Sequence, residues 1–266
     1  MNDVKPLALV TGASSGIGFE LAMQLAERGY DLIINAENEN GLRQAAQQIR
    51  AVGVSVEAVR ADLRHYDQVE ELWTAVTAAE RPLDVAVLNA GVGQGGAFAD
   101  TDLADELEIV DLNVRSTVHL AKRVVRQMVD RGRGRILVTS SIASTIPGTF
   151  QAVYNASKSF VQSLTQALQS ELKDTGVTLT ALMPGPTETD FFHRADMDDT
   201  QVGRQEKDDP AEVAREGLDA LFAGKDKVIA GSAGTKAQGI AAKVVPDKLK
   251  AEAHRKLAEP GSGDQD

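Results

Sequence analysis

Seven short apolar runs, at residues 7–11, 31–35, 55–60, 85–89, 135–139, 177–183 and 228–230, alternate with longer stretches of helical spacing at 18–28, 41–51, 68–79, 103–130 and 152–175. Short β-rich runs separated by amphipathic helices are the pattern of βαβ units, and such units build parallel sheets. The strands read as near-continuous apolar runs rather than as in/out alternation, which predicts that helices cover both faces of the sheet. No Ser/Gly- or Pro-rich linker interrupts residues 6–230, and no internal repeat is visible. The expectation is one doubly wound α/β domain over residues 1–230 with seven strands. Two segments leave the rhythm. Residues 185–210 are rich in Asp and Thr, and residues 231–266 form an extension with helical stretches around 236–243 and 247–258. The last residues, from Pro260, read as a frayed tail.

Composition narrows the chemistry. The 266 residues carry 28 basic and 39 acidic side chains, a net charge of −11, and no cysteine. A chain of this length buries a sizeable core without covalent staples. The absence of cysteine excludes disulfides, Cys-based zinc sites and a thiol nucleophile. The acidic balance argues against nucleic acid or an anionic membrane as a partner, and its plain meaning is solubility. The apolar run at residues 7–10 is too short for a signal peptide or a membrane span. A cysteine-free chain fits a reducing compartment, so a cytoplasmic location is expected. His65, His119, His193 and His254 show no ligand-like spacing, and no metal is expected.

The segment from Leu7 to Gly18 joins the first strand to the first helix, with glycines at 12, 16 and 18. Such a turn lets the backbone approach a ligand closely and points the free N–H groups of the following helix at it. Pyrophosphate is the natural occupant. The spacing is Gly-x3-Gly-x-Gly rather than the commoner Gly-x-Gly-x2-Gly, and a tight βα turn without a ligand is the competing reading.

Tyr154 and Lys158 lie four residues apart near the start of a predicted helix and share a face. A phenol titrates near ~10 and is a poor acid or base at neutral pH. A neighbouring ammonium favours the phenolate and draws that value down. Taken alone, Tyr-x3-Lys on a helix is ordinary surface chemistry. Ser141 follows the predicted strand 135–139, at the kind of strand end where doubly wound sheets bind ligands.

Thr11-Gly12-x3-Gly16-x-Gly18, Asn89-Ala90-Gly91 after the fourth strand and Tyr154-x3-Lys158, occurring in this order, resemble the short-chain dehydrogenase/reductase family in its single-domain branch, over roughly residues 6–230. The resemblance implies a Rossmann-type fold, with a dinucleotide-binding catalytic domain at 1–230, a substrate lid at about 185–210 and the extension beyond 231. It implies an NAD(P)-dependent oxidoreductase that moves hydride between a nicotinamide and a carbonyl or secondary alcohol. Tyr154 becomes the general acid/base, Ser141 the holder of the substrate oxygen, and Lys158 the group that lowers the phenol pKa and binds the nicotinamide ribose. Asn113 matches the family's helix Asn that anchors a water to the lysine. Ser140 and Ser157 are read as structural.

The cofactor contacts implied by the same resemblance are Gly12, Ser14, Ser15, Gly16, Ile17, Gly18, Glu37, Asp62, Leu63, Asn89, Ala90, Gly91, Tyr154, Lys158, Pro184, Gly185, Thr187 and Thr189. Asp62 is placed at the adenine amine, with a turn aspartate as the equal alternative. Thr189 and Thr187 are placed at the nicotinamide carboxamide. The family's usual NAD and NADP signatures are both missing: Ala36 stands where an Asp is common, and Glu37 where an Arg is common. A carboxylate at Glu37 repels a 2′-phosphate and accepts from a 2′-hydroxyl, which favours NAD(H). A cation such as Arg60 would reverse that preference.

Residues 148–153 and 92–98 are expected to line the substrate pocket, and their small or apolar side chains suit a small-to-medium apolar carbonyl or alcohol. The aspartates at 190, 196, 198, 199, 208 and 209 read as a solvated lid surface. Relatives form a four-helix dimer contact with the helices at 103–130 and 152–175, where Phe160, Leu164 and Leu168 make an apolar stripe. A homodimer or homotetramer is implied. Two other readings stay open: a dinucleotide-sensing regulator without turnover, since fold does not dictate function, and a non-redox epimerase or dehydratase. Retention of Asn113, Ser141, Tyr154 and Lys158 favours the enzyme.

Overall fold

The computed structural model describes residues 5–242 and 244–264. Seven strands form one parallel sheet: β1 (Leu7–Thr11), β2 (Asp31–Ala36), β3 (Val56–Arg60), β4 (Leu83–Leu88), β5 (Gly134–Thr139), β6 (Val177–Pro184) and β7 (Lys227–Ala230), in the spatial order β3-β2-β1-β4-β5-β6-β7. Every residue of β1 and β2 is buried. Val10 sits between Ile34 on one side and Val87 on the other. Chain order reverses at β1, so the carboxyl ends of β1 and β4 open a crevice between helices of opposite faces, where doubly wound sheets bind ligands.

Two apolar layers sandwich the sheet. On one face pack α1 (Gly16–Glu27), α2 (Glu39–Arg50) and α9 (Pro210–Phe222), through Leu21, Leu25, Leu42, Ile49, Leu218 and Leu221. On the other pack α3 (Tyr66–Ala78), α5 (Thr117–Arg131) and α6 (Ala152–Leu172), through Leu72, Val76, Leu120, Val124, Met128 and Val161. Burying each of these side chains contributes roughly 1.5–3 kcal/mol, and the expected covering of both faces is what the structure has. The start of α9 is marked locally: Asp209 accepts a hydrogen bond from the Ala211 amide at 2.8 Å, and Pro210 needs no amide partner at the first helical position.

The stretch at 103–130, expected as one helix, is divided. It runs as α4 (Leu103–Ile109), a π-helical segment (Val110–Ser116) and then α5, which ends on Gly132 in the left-handed conformation. The wider π turn carries Asn113 and inserts it into the interior. After β6 come two short helical turns, α7 (Phe191–Arg194) and α8 (Gln201–Arg204). After β7 come α10 (Ala233–Ala241) and α11 (Asp247–Ala258). Residue 243, in the helical stretch expected around 236–243, lies outside the described residues, as do the last two residues of the tail.

The tail is not frayed where it is described. The amide of Gly263 donates to the Asp199 carbonyl at 2.8 Å, the amide of Gly261 donates to the Asp199 carboxylate at 2.7 Å, and Ser262 Oγ accepts from the Gln201 amide at 2.9 Å. Composition suggested fraying, but hydrogen bonds to a segment about sixty residues earlier in the chain hold it. Among the described residues, no helix is long and apolar enough to cross a membrane.

Candidate active site

The crevice at the carboxyl ends of the strands holds a cavity of about 390 Å³. Its floor begins at the β1–α1 turn. Gly12 and Gly16 adopt φ of +67° and +56°, conformations that side chains with a Cβ resist. A Cβ on Gly18 would lie 2.1 Å from the Gly12 carbonyl oxygen, so only glycine fits that close approach. The Ser15 side chain does not cap α1, and no acidic residue sits in its first turn. Among the described residues no hydrogen bond takes up the first N–H groups of α1, so they and the positive end of the dipole face the cavity, the arrangement that receives a phosphate.

Polar stitches fasten this turn to the neighbouring strands. Thr11 Oγ1 donates to the Val87 carbonyl at 3.3 Å and accepts from the amides of Asn89 and Ala90 at 3.0 and 3.1 Å. Asn89 Nδ2 donates to the Thr11 carbonyl at 3.1 Å, and Asn89 Oδ1 accepts from Thr139 Oγ1 at 3.0 Å. One amide side chain thus spans the ends of β1, β4 and β5. Smallness was the expected virtue of the 89–91 segment; at Asn89 the side chain acts as a fastener.

Tyr154 and Lys158 rise from the first turns of α6 against the end of β5. The Lys158 ammonium sits 5.8 Å from the centre of the Tyr154 ring and donates to the Thr139 carbonyl at 3.1 Å. Ser141 caps the turn after β5 by accepting from the Ala143 amide at 3.0 Å. Burial pushes the Tyr154 phenol up to about 12, with the Ser141 hydroxyl pulling the other way. Burial also brings the Lys158 ammonium down to about 8. The expectation that the lysine draws the phenol down is not met here, because removal of both groups from water is the dominant influence on each.

All of the residues expected at the cofactor, together with Ser141, border this one cavity. Asn113 does not. Its Oδ1 accepts from the Val92 amide at 2.9 Å, and its Nδ2 donates to the Val92 carbonyl at 2.9 Å and to Ser157 Oγ at 3.0 Å. Its amide is consumed in clamping the loop after β4 to α6, one residue before Lys158. Ser157, read as structural, is the other half of that clamp; it is buried and also donates to the Tyr154 carbonyl at 2.7 Å. Its position beside the lysine was the available signal.

Asp62 is likewise engaged. Its carboxylate takes three hydrogen bonds from the Arg64 guanidinium at 2.8–3.0 Å. Burial works to raise its pKa, but those bonds outweigh it and hold the carboxyl below the usual range. The same guanidinium bonds Glu37 and Glu108. The turn-aspartate alternative describes Asp62 better than a free acceptor does. Arg64 was missed because the partners that give it meaning lie up to 44 residues away.

Opposite the glycine turn, the segment after β6 packs against the tyrosine, with the Phe191 ring 5.2 Å from that of Tyr154. Ile142, Ile146, Phe192, Val202 and Leu257 add apolar wall. Of the two segments expected to line this side, Val92 and Gln151 reach the cavity. Phe98 is exposed, and Gly93 and Gly95 pack under Phe191 and Met197 of the segment after β6. His254 of α11 borders the cavity, a placement no local pattern announced.

A family model described as short chain dehydrogenase matches residues 6–200. A putative ketoacyl reductase of Streptomyces coelicolor is 40% identical over 187 residues, which span 69% of this chain and 71% of that protein. A short-chain dehydrogenase from Sphingobium yanoikuyae, solved in complex with NADPH, superposes with a TM-score of 0.78 at 30% identity, covering 84% of this chain and 87% of the other. At 23% identity, a short chain dehydrogenase/reductase from Burkholderia phymatum, solved in complex with NAD, matches in fold with a TM-score of 0.81 over 98% of this chain and 99% of its own.

Proposed function

Since the chain belongs to the short-chain dehydrogenase family, and is an oxidoreductase acting on CH–OH or C=O groups, we propose that Tyr154 is its general acid/base, in a site that holds NAD(P). The observation that carries this reading is the enclosure of the Tyr154 hydroxyl, Ser141 and the Lys158 ammonium in the same cavity as the glycine turn. The residues fit a dinucleotide. Gly12, Gly16 and Gly18 let the turn fold tightly against Ala90, Thr189 and its own Gly12 carbonyl where a Cβ would collide, and the uncapped start of α1 offers N–H donors to a pyrophosphate. When bound, the nicotinamide supplies or accepts hydride.

The remaining chemistry belongs to the chain. Ser141 holds the carbonyl oxygen. Tyr154 gives that oxygen its proton as the carbon–oxygen double bond becomes single, and in the reverse direction takes the proton from the alcohol. Lys158 holds a positive charge beside the phenolate that forms, and Asn113 with Ser157 positions the turn that carries it. The apolar wall of the lid excludes water and accepts a mainly apolar carbonyl compound. A panel of ketones, aldehydes and alcohols with each cofactor, followed by reduced-nicotinamide absorbance, tests this. Ketoacyl-type ketones come first because a relative bears that description; no turnover with any of them would remove the reading.

NAD(H) is the proposed cofactor form. Glu37, Asp62 and Glu108 surround Arg64, and among the described residues Arg60 Nε donates to the Glu37 carbonyl, at 3.2 Å. A 2′-phosphate entering here would meet three carboxylates against two guanidinium groups, whereas a 2′-hydroxyl can donate to Glu37. Glu37→Ala is expected to raise kcat/KM for NADPH relative to NADPH's unphosphorylated counterpart by about tenfold, or ~1.4 kcal/mol. An unchanged ratio would remove the NAD(H) preference.

The proposed assembly is a homodimer through the outer face of α4, the π segment, α5 and α6. Leu103, Leu107, Val110, Val118 and Phe160 are all exposed there, whereas Leu168 turns toward the core. An apolar face of this kind suits a second copy of the chain. Sedimentation is expected to show a dimer for the wild type and a monomer for Leu107→Glu; a monomeric wild type would refute the arrangement. The cytoplasm is the proposed location, in keeping with a cysteine-free chain, and cell fractionation tests it.

A further inference from the structure

The C-terminal helix α11 and the residues after it bind the two segments that flank Tyr154. Lys250 Nζ donates to the Thr145 carbonyl at 2.8 Å, and Thr149 Oγ1 donates to the Ala251 carbonyl at 3.0 Å, both joining α11 to the segment before α6. The Arg255 guanidinium lies 5.4 Å from the centre of the Phe150 ring. At the other end, Ala258 is buried among Phe192, Ala195 and Met197 of the lid. A cover held at both sides presents its cavity-facing side chains in a definite geometry.

One of those side chains is His254. Its Nδ1 lies 2.9 Å from the Thr149 carbonyl oxygen. A carbonyl only accepts, so Nδ1 carries the proton, and in the neutral ring Nε2 is left as a lone-pair acceptor. Burial pushes the pKa of His254 down and favours that neutral ring. Nε2 has no partner among the described residues. Gln151, three residues before Tyr154, borders the same cavity. It is 7% exposed, and its side-chain amide makes no hydrogen bond among the described residues. With no partner in the protein, its amide is left to pair with whatever occupies the cavity, water or ligand. Arg194 and Gln205 also border the cavity, but from exposed lid positions where solvent competes.

We propose that His254 and Gln151 form a polar subsite that receives a hydroxyl group of the substrate, so that the preferred substrates are ketones bearing a second, hydroxyl-type hydrogen-bond donor away from the reacting carbonyl. The hydroxyl donates to His254 Nε2, and the Gln151 amide donates to the hydroxyl oxygen, which satisfies both side chains. The extension after β7 is then a determinant of specificity as well as a cover. The inference rests on the oxidoreductase reading of the same cavity.

The test compares three ketones of one carbon skeleton: one with a distal hydroxyl, one with hydrogen in its place, and the methyl ether of the first. The wild-type enzyme is expected to favour the hydroxy ketone over both others by at least about tenfold in kcat/KM, because the ether can accept but not donate. In His254→Leu that preference falls to within about twofold. Equal rates on all three ketones with the wild type, or a preference undiminished in His254→Leu, would overturn the subsite and leave the oxidoreductase reading standing. Reduction of no ketone at all would overturn both. The ether comparison needs only the wild-type protein, so poor folding of the variant does not blunt it.

Discussion

Tyr154→Phe is expected to lower turnover by at least about 10²–10⁴-fold, the usual worth of a positioned general acid, while the dissociation constant for the dinucleotide stays within about twofold. The variant keeps the ring that packs at 5.2 Å against Phe191 and removes only the hydroxyl. Cofactor titration by fluorescence, alongside steady-state rates, separates the two effects. Loss of cofactor binding together with activity would make the tyrosine structural. The direction of its pKa adds a second signature. With the phenol near 12, the proton stays on through the neutral range, so ketone reduction has its donor and should vary little with pH there. Alcohol oxidation needs the phenolate, and its kcat/KM should climb by up to about tenfold per pH unit below that value. An oxidation profile that stays flat, or falls as pH rises, would remove Tyr154 as the base.

Gly18→Ala is expected to cost roughly 1–3 kcal/mol of folding stability and to weaken dinucleotide binding by about 100-fold, equivalent to ~2.7 kcal/mol. The new methyl group would stand 2.1 Å from the Gly12 carbonyl oxygen and 2.5 Å from Asn89 Nδ2. Neither neighbour is the loose end of a flexible side chain. The first is backbone, and the second is held between the Thr11 carbonyl and Thr139. The turn must therefore open, and the N–H groups at the start of α1 lose their aim. Gly29→Ala provides the control: its φ is +86° but nothing lies within 4 Å of the added atom, so it should lose about 1–2 kcal/mol through backbone strain alone and bind the cofactor normally. Thermal melts and isothermal titration of both variants decide the matter. Normal binding by Gly18→Ala would mean that this turn is not the cradle.

Strand positions were readable because each depends on a local property. The run 7–11 is a strand in the structure with the same bounds, and the other six shift by only one or two residues. Glycine spacing at 12, 16 and 18, and the four-residue step from Tyr154 to Lys158, are equally local, and each group borders the cavity. Even the division of 103–130 by a π segment has no comparable mark in the chain. It arises where Asn113 meets Val92 and Ser157, partners 21 and 44 residues away.

Periodicity and turn chemistry, which act over a few residues, determined the layered parallel sheet and the residue types gathered at its carboxyl edge, while the strand order, with β1 paired to β4, came from the fold. Tertiary structure alone decided which polar side chains remain available there. It spent Asp62 on Arg64, Asn113 on a loop amide and Asn89 on three strand ends, kept Tyr154 and Lys158 out of water so that burial governs their titration, and brought His254 from the far end of the chain to face the cavity. The physical reason is that a hydrogen bond or a loss of solvation depends on neighbours in space, and residues 62, 113 and 254 acquire theirs only when the sheet and its covering helices have closed together.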